Sequence, residues 1–292
     1  MQLKCAIGDM VQVRPVRQGS VSSERFDLEM IHVEPFYVAF RRMVRELEFD
    51  LSEMPIATLA QAMHAGVPIV GLPIPASCRM HHTSILCSLD SDIKVPQDLT
   101  GRRVLARSWP QTTGIWIRGI LQREYGVNLR DIEWVIQEGP HVPEFVDPDF
   151  VTLEESEESL LNLLKSGKVD AITGLHGIPN GTRPVIPHAL EAGAEWYGRT
   201  GVFPVNHVLC LRRPVLEAHP WLVEAVTDLF DEARELAKEQ GDLDSTRHGL
   251  PPGLPLYQSG LEPNRKSMQM LLDFSIEQQI VPPSVTLDSL FV

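Results

Sequence analysis

Two successive blocks of alternating strand-like and helix-like segments constrain the fold of this chain more than any other feature. In the first block, strand-like runs occur at residues 3–7, 26–33 and 49–54, and apolar side chains recur at helical spacing between 35 and 47. A second block opens with another strand pattern at 99–106. Alternation of this kind predicts an α/β fold with mostly parallel sheets.

The length of the chain predicts more than one compact unit. At 292 residues the chain exceeds the size at which one hydrophobic core usually stops growing, so we expect two lobes with a cleft between them. Parallel sheets bind their ligands beyond the carboxyl ends of the strands. The loops at 52–54, 109–114 and 173–176 are therefore the first places to search for a site.

Composition and charge argue against several classes of function. A formal net charge of −13 disfavours nucleic-acid binding, which requires basic patches. No stretch approaches the roughly 20 apolar residues of a membrane helix, so we expect no membrane partner. The first residues lack the long apolar region of a secretory signal, which predicts a cytoplasmic protein.

The cysteines do not suggest a metal site. They lack the paired spacing of zinc ligands, and the histidines show no metal-binding spacing either. We therefore expect reduced cysteines that serve as packing residues, and no bound metal. The residues concerned are Cys5, Cys78, Cys87 and Cys210.

Several segments, spread over nearly the whole chain, resemble one enzyme family. Together they are similar to the 4,5-dihydroxyphthalate decarboxylase family, a branch of the type II periplasmic-binding-protein-like superfamily. The LTGRRV strand is less specific alone, because it occurs across solute-binding proteins generally. The segments are FDLSEM at 49–54, LTGRRV at 99–104, WIRGIL at 116–121, EYGV at 124–127, TGVFPVNHV at 200–208 and GLEPNR at 260–265.

One position departs from the family pattern. In the family an Arg-His pair precedes a crossover strand, whereas this chain reads RMHHTS at 79–84 and has His81 in the place of the arginine. Because that arginine would help to read the substrate's anionic groups, the departure leaves the substituents of the ring open.

The resemblance implies a two-lobed type II periplasmic-binding-protein-like fold, in which each lobe is a mostly parallel sheet flanked by helices. Residues 1–90 and 205–292 would form the lobe that contains both termini, and residues 91–204 would form the inserted lobe. The expected partner is a small aromatic carboxylate that binds between the lobes. The oligomeric state stays open, with a homodimer as one option.

The resemblance also implies a carboxy-lyase that acts on a hydroxylated aromatic (di)carboxylic acid similar to 4,5-dihydroxyphthalate. A ring hydroxyl conjugated to the reacting carbon makes the ring its own electron sink. Protonation of the carbon that bears the carboxylate gives a dienone-like intermediate, which loses carbon dioxide and regains aromaticity. This chemistry requires neither flavin nor thiamine, so we expect no cofactor.

The start of a predicted helix is the candidate carboxylate-binding region. Thr112, Thr113 and Gly114 open this helix, where backbone amides and the helix dipole can hold an anion. Plain capping by a threonine is equally consistent with the sequence. Arg118 lies one turn further on and can make a two-point contact with a carboxylate, although most arginines simply lie on the surface.

The proton-transfer roles fall to a histidine and an acid. His207 lies in an apolar strand and can donate or accept a proton near neutral pH, unless it is a hydrogen-bonded core histidine. Glu53 follows a strand and can orient a histidine or accept a phenolic proton. Alternatively, it is only an acidic residue at the start of the next helix, where the helix dipole favours a negative charge. Ser52 is a candidate hydroxyl donor to the substrate, or a cap.

His82 is the alternative acid. His81 and His82 are adjacent, so in an extended segment they point to opposite sides and only one can face the cleft. We favour His82 for catalysis and place His81 among the substrate contacts. His176, which follows a predicted strand end, is a weaker candidate of the same kind.

Two other functions stay open at this point. The first is a non-catalytic binding protein for an aromatic carboxylate, similar to the solute-binding proteins of transporters. The second is another enzyme on the same scaffold, such as the dehydratase or the naphthoate-forming lyase of the alternative menaquinone pathway, whose chains resemble this one only in fold. A reaction product separates an enzyme from a binding protein.

Overall fold

The computed structural model describes residues 1–292, and its strands form one sheet of five and one sheet of six. The chain divides into two compact units. Unit 1 consists of residues 1–79, 205–272 and 283–292, and unit 2 consists of residues 80–204 and 273–282.

Eleven strands supply the two sheets. In chain order they are β1 (Gln2–Ala6), β2 (Asp27–Met30), β3 (Leu51–Pro55), β4 (Ile69–Cys78), β5 (Ile85–Ser88), β6 (Arg103–Ala106), β7 (Glu133–Ile136), β8 (Val151–Leu153), β9 (Ala171–Thr173), β10 (Thr182–Pro184) and β11 (Val205–Arg212).

The α-helices lie between these strands and after the last of them. They are α1 (Arg14–Arg17), α2 (Val38–Glu46), α3 (Ile56–His64), α4 (Thr112–Tyr125), α5 (Leu160–Lys165), α6 (Ala189–Thr200), α7 (Arg213–Ala218), α8 (Leu222–Glu239), α9 (Leu261–Glu277) and α10 (Leu287–Leu290). None of the helices is both long enough and apolar enough to cross a membrane.

The sheet of unit 1 has the order β2-β1-β3-β11-β4. Strand β1 pairs in parallel with β2 and β3, whereas β11 runs antiparallel between β3 and β4. Strand β3 is buried along its whole length, as expected for a central strand covered on both faces. The acidic residue that it carries, Glu53, is therefore held inside the unit.

The sheet of unit 2 has the order β10-β5-β9-β6-β7-β8. Strands β9, β6, β7 and β8 are parallel, and β5 pairs antiparallel with β9 and β10. The long helix α4 follows β6 and is buried from Thr112 through Leu121. It ends at Gly126, which adopts a left-handed conformation with φ of 65°, the backbone geometry that favours glycine after a helix.

The predicted α/β fold class with two sheets is confirmed, and most of the predicted elements are present. The predictions missed several short or mostly exposed segments, which carry little periodic signal: β8, β10, α1, α6, α7 and α10. The first unit boundary lies after residue 79 rather than after residue 90, because β5 pairs with β9 in unit 2. Residues 273–282 also belong to unit 2, a contribution from distant sequence that the predicted division did not include.

Candidate active site

A buried carboxylate and a partly exposed histidine are in direct contact in unit 1. Glu53 Oε1 lies 2.6 Å from His207 Nδ1, and the backbone amide of Gly8 donates to Glu53 Oε2 over 2.9 Å. Glu53 is only 3% exposed, whereas the His207 side chain is 21% exposed. Both carboxylate oxygens are thus engaged, and the histidine is the member of the pair that other molecules can reach.

Strand register explains why these two side chains meet. In the antiparallel pairing of β3 with β11, Leu209 lies opposite Glu53 and His207 lies opposite Pro55. Residues two apart in a strand share a face of the sheet, so Glu53 and His207 form a diagonal pair across the two strands. On the other side of β3, strand β1 brings the chain to Gly8, beside the carboxylate.

The contact fixes the orientation of the imidazole ring. Nδ1 is turned toward Glu53, and the Phe40 ring packs against the imidazole nearly edge-on, with centroids 5.2 Å apart. Nε2 makes no hydrogen bond. One ring nitrogen is therefore held by the protein while the other is available to exchange a proton, which is the arrangement of an oriented acid-base histidine.

Ser52 is used differently from its predicted role. It is fully buried, and its hydroxyl donates to the backbone carbonyl of Glu53 over 2.9 Å. Because it directly precedes Glu53 in β3, its side chain points to the opposite face of the strand. This arrangement does not present Ser52 as a hydroxyl donor on the face that carries Glu53 and His207.

Thr112, Thr113 and Gly114 form the first turn of α4, as the sequence predicts. Both threonines are buried. Gln111 precedes the helix but provides no side-chain cap, and the Thr112 hydroxyl has no hydrogen-bond partner. The Thr112 side chain is therefore not explained by plain capping.

Arg118 is buried completely, with 0% of its surface exposed. Its Nε donates to Gln278 Oε1 over 2.7 Å, its Nη2 donates to the carbonyl of Trp109 over 2.5 Å, and its guanidinium lies over the Trp109 ring. Burial lowers its pKa to about 9, an effect that the charge of Asp147 opposes. Two nitrogens of the guanidinium, Nε and Nη2, thus already donate to the protein. The structure therefore does not support the predicted two-point contact of Arg118 with a substrate.

Asp147 compensates the positive charge of Arg118 only in part. Burial raises the pKa of the Asp147 carboxyl to about 6, and the Arg118 charge acts in the opposite direction. A carboxyl with this pKa is partly protonated near neutral pH, so it offsets less than a full charge.

The adjacent histidines lie in a turn rather than in an extended segment, so the expected alternation to opposite sides does not apply, and both side chains are buried. His81 stacks on Trp116, with centroids 6.1 Å apart. His82 packs against Trp196, and burial together with the charge of Arg199 lowers its pKa to about 4. His82 is therefore neutral near pH 7 and is not a ready proton donor.

His176 lies apart from these groups in the sequence, in an exposed loop that follows β9 in unit 2. The three predicted catalytic residues are thus divided. Glu53 and His207 are brought together in unit 1, while His82 is a buried side chain of unit 2.

Sequence reasoning missed four residues with unusual surroundings. Gly8 supplies an amide to Glu53, whereas Ser108, Gln111 and Thr173 each carry a buried side-chain oxygen without a hydrogen-bond partner. The last three lie in or beside the loops that follow β6 and β9. The carboxyl ends of these strands were the available signal, but nothing in the sequence distinguished these polar residues from ordinary loop residues.

No group of three or more histidine, cysteine, aspartate or glutamate side chains is placed to hold a metal ion. The four cysteines are buried and form no disulfide. Burial raises the pKa of the Cys210 thiol to about 12, so this side chain is an inert packing group at neutral pH.

Comparison with known proteins identifies relatives of one activity. The chain is 30% identical over 267 residues to a 4,5-dihydroxyphthalate decarboxylase of Comamonas testosteroni, an alignment that covers 86% of this chain and 80% of the relative. It is 28% identical over 182 residues to the enzyme of the same name from Pseudomonas putida, covering 60% of this chain and 70% of the relative. No protein-family model matches the chain.

Comparison with solved structures identifies the fold. The periplasmic aliphatic sulphonate binding protein SsuA from Escherichia coli superposes with a TM-score of 0.60 at 17% identity, covering 99% of this chain and 97% of SsuA. At this identity the similarity concerns the fold alone. It confirms the predicted periplasmic-binding-protein-like architecture.

Proposed function

Because this chain belongs to the 4,5-dihydroxyphthalate decarboxylase family, we propose that it decarboxylates a hydroxylated aromatic dicarboxylic acid, with His207 as the proton donor and Glu53 as its orienting partner. The observation that carries the proposal is the 2.6 Å contact between Glu53 Oε1 and His207 Nδ1. The family supports the substrate, and the contact supports the assignment of the acid.

The position of Glu53 favours an enzyme over a simple anion receptor. A buried carboxylate repels an anionic ligand, which a receptor for aromatic acids has no reason to keep. An acid catalyst benefits from the same carboxylate, because it stabilises the protonated imidazole and directs Nε2 outward. The amide of Gly8, 2.9 Å from Glu53 Oε2, holds the carboxylate in place while the proton moves.

The proposed reaction balances without an added redox partner. A ring hydroxyl loses its proton, and His207 Nε2 gives a proton to the ring carbon that carries the carboxylate. The resulting dienone-like intermediate breaks the bond between ring and carboxylate, carbon dioxide leaves, and the electron pair restores the aromatic ring and the phenolate. The phenolate then takes up a proton, so that one proton is consumed for each carbon dioxide released. Since the ring itself accepts the electrons, the proposed route uses no cofactor.

The substrate contacts predicted at Thr112, Thr113 and Gly114 stay part of the proposal. Their place in the first turn of α4 suits an anion. The buried arginine at position 118 contributes its charge from within unit 2 rather than a two-point contact. We leave His82 out of the proposed chemistry because its lowered pKa keeps it neutral near pH 7, and His81 because its ring is stacked on Trp116.

The test is direct. Purified protein, dialysed against a chelator, is incubated with 4,5-dihydroxyphthalate and with a panel of hydroxybenzoates, and carbon dioxide and the aromatic product are measured. Release of carbon dioxide with formation of 3,4-dihydroxybenzoate supports the proposal. An aromatic acid that raises the melting temperature but is recovered unchanged, with no turnover of any panel member, refutes it in favour of a binding protein.

A further inference from the structure

A second group of polar side chains, in unit 2, has no part in the proposed proton transfer. Ser108, Thr112 and Thr173 are exposed by only 1%, 3% and 1%, and none of their hydroxyl oxygens has a hydrogen-bond partner. We call these three residues the hydroxyl cluster. A buried hydroxyl without a partner lowers the stability of the fold. Three of them in one region of one unit are therefore better explained by binding than by packing.

The sheet brings the members of the hydroxyl cluster to one edge. Strands β6 and β9 are parallel neighbours, with Ala106 opposite Thr173, so Ser108 and Thr173 both lie at the carboxyl edge of the sheet. The chain then turns from Ser108 into α4, which begins at Thr112. Gln111 connects the start of α4 with the end of β9, because its Nε2 lies 3.4 Å from the carbonyl oxygen of Gly174, the residue after Thr173.

The electrostatics at this edge favour an anion. Helix α4 is 14 residues long and has no side-chain cap at its start, so its dipole places partial positive charge there. The guanidinium of Arg118 adds a full charge. Its Nη1 has no hydrogen-bond partner, and a Cβ built on Gly114 would lie only 2.5 Å from it. Arg118 Nη1 thus lies directly at the first turn of α4.

Hydroxyl donors, a helix start and a buried cation suit a carboxylate in particular. A carboxylate accepts up to about four hydrogen bonds, and a hydrogen bond to an ionised group is stronger than one between neutral groups.

We propose that the hydroxyl cluster binds the ring carboxylate that the reaction retains, an inference that rests on the proposed decarboxylation for its substrate. Loss of carbon dioxide disperses the charge of the departing carboxylate, so donors on that group would stabilise the reactant more than the transition state. Donors on the retained carboxylate stabilise both states alike and supply binding without slowing the reaction. The product keeps this carboxylate and is therefore an inhibitor at the same site.

Phthalate is the probe that separates binding from turnover. It carries both carboxylates but lacks the ring hydroxyls that accept electrons, so it binds without reacting. The variants are Thr173→Val and Ser108→Ala, which remove hydroxyls of the cluster. The matched control is Thr182→Val, because the Thr182 hydroxyl is also buried in unit 2 but donates to the carbonyl of Pro179 over 2.7 Å.

Calorimetry measures the affinity for phthalate, and thermal unfolding measures the melting temperature. Together they distinguish the variants of the hydroxyl cluster from the control Thr182→Val. We expect Thr173→Val and Ser108→Ala to weaken phthalate binding about tenfold each while keeping or raising the melting temperature of the ligand-free protein. Thr182→Val should lower the melting temperature and leave the phthalate affinity unchanged. Unchanged phthalate affinity in both cluster variants, or no binding of phthalate by the wild-type protein, overturns the inference.

Product inhibition tests which carboxylate the cluster holds. The inhibition constant of 3,4-dihydroxybenzoate should rise in Thr173→Val by the same factor as the phthalate dissociation constant. An unchanged inhibition constant overturns the assignment to the retained carboxylate. Carbon dioxide release by the wild-type protein decides the proposed function separately. Weakened phthalate binding in the variants of a protein without turnover would leave the carboxylate site standing and refute the decarboxylation.

Discussion

At the scale of single residues, the chemistry depends on which titratable side chains are buried and which are held by a partner. Glu53 is buried and hydrogen-bonded at both oxygens, while His207 has one nitrogen bound and the other without a hydrogen bond. His82 is buried with Nδ1 unpartnered and with a lowered pKa. Two histidines that look equivalent in the sequence thus differ in accessibility, because His207 is partly exposed while His82 is enclosed in unit 2.

Replacement of His207 tests the proton donor. We expect His207→Asn to lower kcat about a hundredfold or more, with KM changed little, because general acid catalysis contributes roughly that much. Steady-state kinetics with 4,5-dihydroxyphthalate measures both constants. His64→Asn is the control, since His64 is an exposed residue of unit 1 at the end of α3. Turnover at the wild-type rate in His207→Asn would remove this residue from the mechanism.

Replacement of Glu53 tests the orienting partner. Glu53→Gln keeps the shape of the side chain but removes its charge, so the imidazole loses its anionic partner at 2.6 Å. We expect kcat to fall about tenfold to a hundredfold while phthalate still binds, as calorimetry will show. Gly8→Ala provides a second route to the same effect, because its Cβ would lie 2.9 Å from Glu53 Oε2. If both variants retain full kcat, Glu53 has no part in proton transfer.

His82 makes the stability of the protein depend on pH. Burial lowers its pKa from 6.5 to about 4, so between these values the unfolded chain binds a proton that the folded protein does not. The free energy of unfolding should therefore fall as the pH is lowered through this window, by about 3 kcal/mol from this group. Urea titrations at several pH values should show a flatter dependence in His82→Phe and no flattening in His64→Asn. An unchanged slope in His82→Phe would mean that His82 is not buried as a neutral group.

At the scale of secondary-structure elements, α4 organises much of unit 2. Its first turn carries Thr112 and Gly114, its second turn carries the buried Arg118, and it is buried from Thr112 through Leu121. A helix buried on nearly all sides leaves little room for side chains at its close contacts. Glycine at these positions is a packing requirement, in spite of its low helix propensity.

Gly119 marks the closest of these contacts. A Cβ at this position would lie 2.2 Å from the ring of Phe274, which is closer than any real contact. We expect Gly119→Ala to lower the free energy of unfolding by about 1–3 kcal/mol. Gly198→Ala in α6 is the matched control, because nothing lies within 4 Å of the added carbon; it should stabilise the protein by about 0.5–1 kcal/mol. Chemical denaturation measures both, and equal stability of the two variants would contradict the packing of α4 described here.

At the scale of the whole molecule, each unit is assembled from separate parts of the chain. Residues 273–282 belong to unit 2 although they are far from residues 80–204 in the sequence. They supply Gln278, which accepts from Arg118 Nε and whose carbonyl accepts from Trp109 Nε1. They also supply Phe274, which packs against Trp116. Without them, the fully buried guanidinium of Arg118 keeps the Trp109 carbonyl but loses the partner of its Nε.

Fragments of unit 2 test this dependence. We expect residues 80–204 expressed alone to lack a cooperative thermal transition, because the buried charge of Arg118 loses the partner of its Nε and such a loss is strongly destabilising. The same fragment with residues 273–282 joined through a flexible Gly/Ser linker should regain one. Circular dichroism and tryptophan fluorescence report the transitions. A cooperative transition of equal midpoint in the two fragments would show that residues 273–282 are dispensable for unit 2.

The sequence by itself determined the features that depend on local periodicity and on whole-chain similarity. The α/β class, helix α4 with its end at Gly126, and the family were all available from it, since neighbouring residues decide strand alternation, helical spacing and capping. The search of strand ends also identified the loops around Thr112 and Thr173. Their hydroxyls could not be recognised as unpartnered, because a hydrogen-bond partner is a property of the packed protein.

Only the tertiary structure decided which side chains meet. Glu53 and His207 are 154 residues apart and Arg118 and Gln278 are 160 apart, so their contacts depend on strand register and on segments returning from distant sequence. The same long-range packing buries Arg118, His81 and His82, where local pattern allowed an accessible role. Burial and partnership set the charge and the proton affinity of a group. Burial and hydrogen-bond partners arise only when the chain packs, so the tertiary structure decides which side chains of this protein can do chemistry.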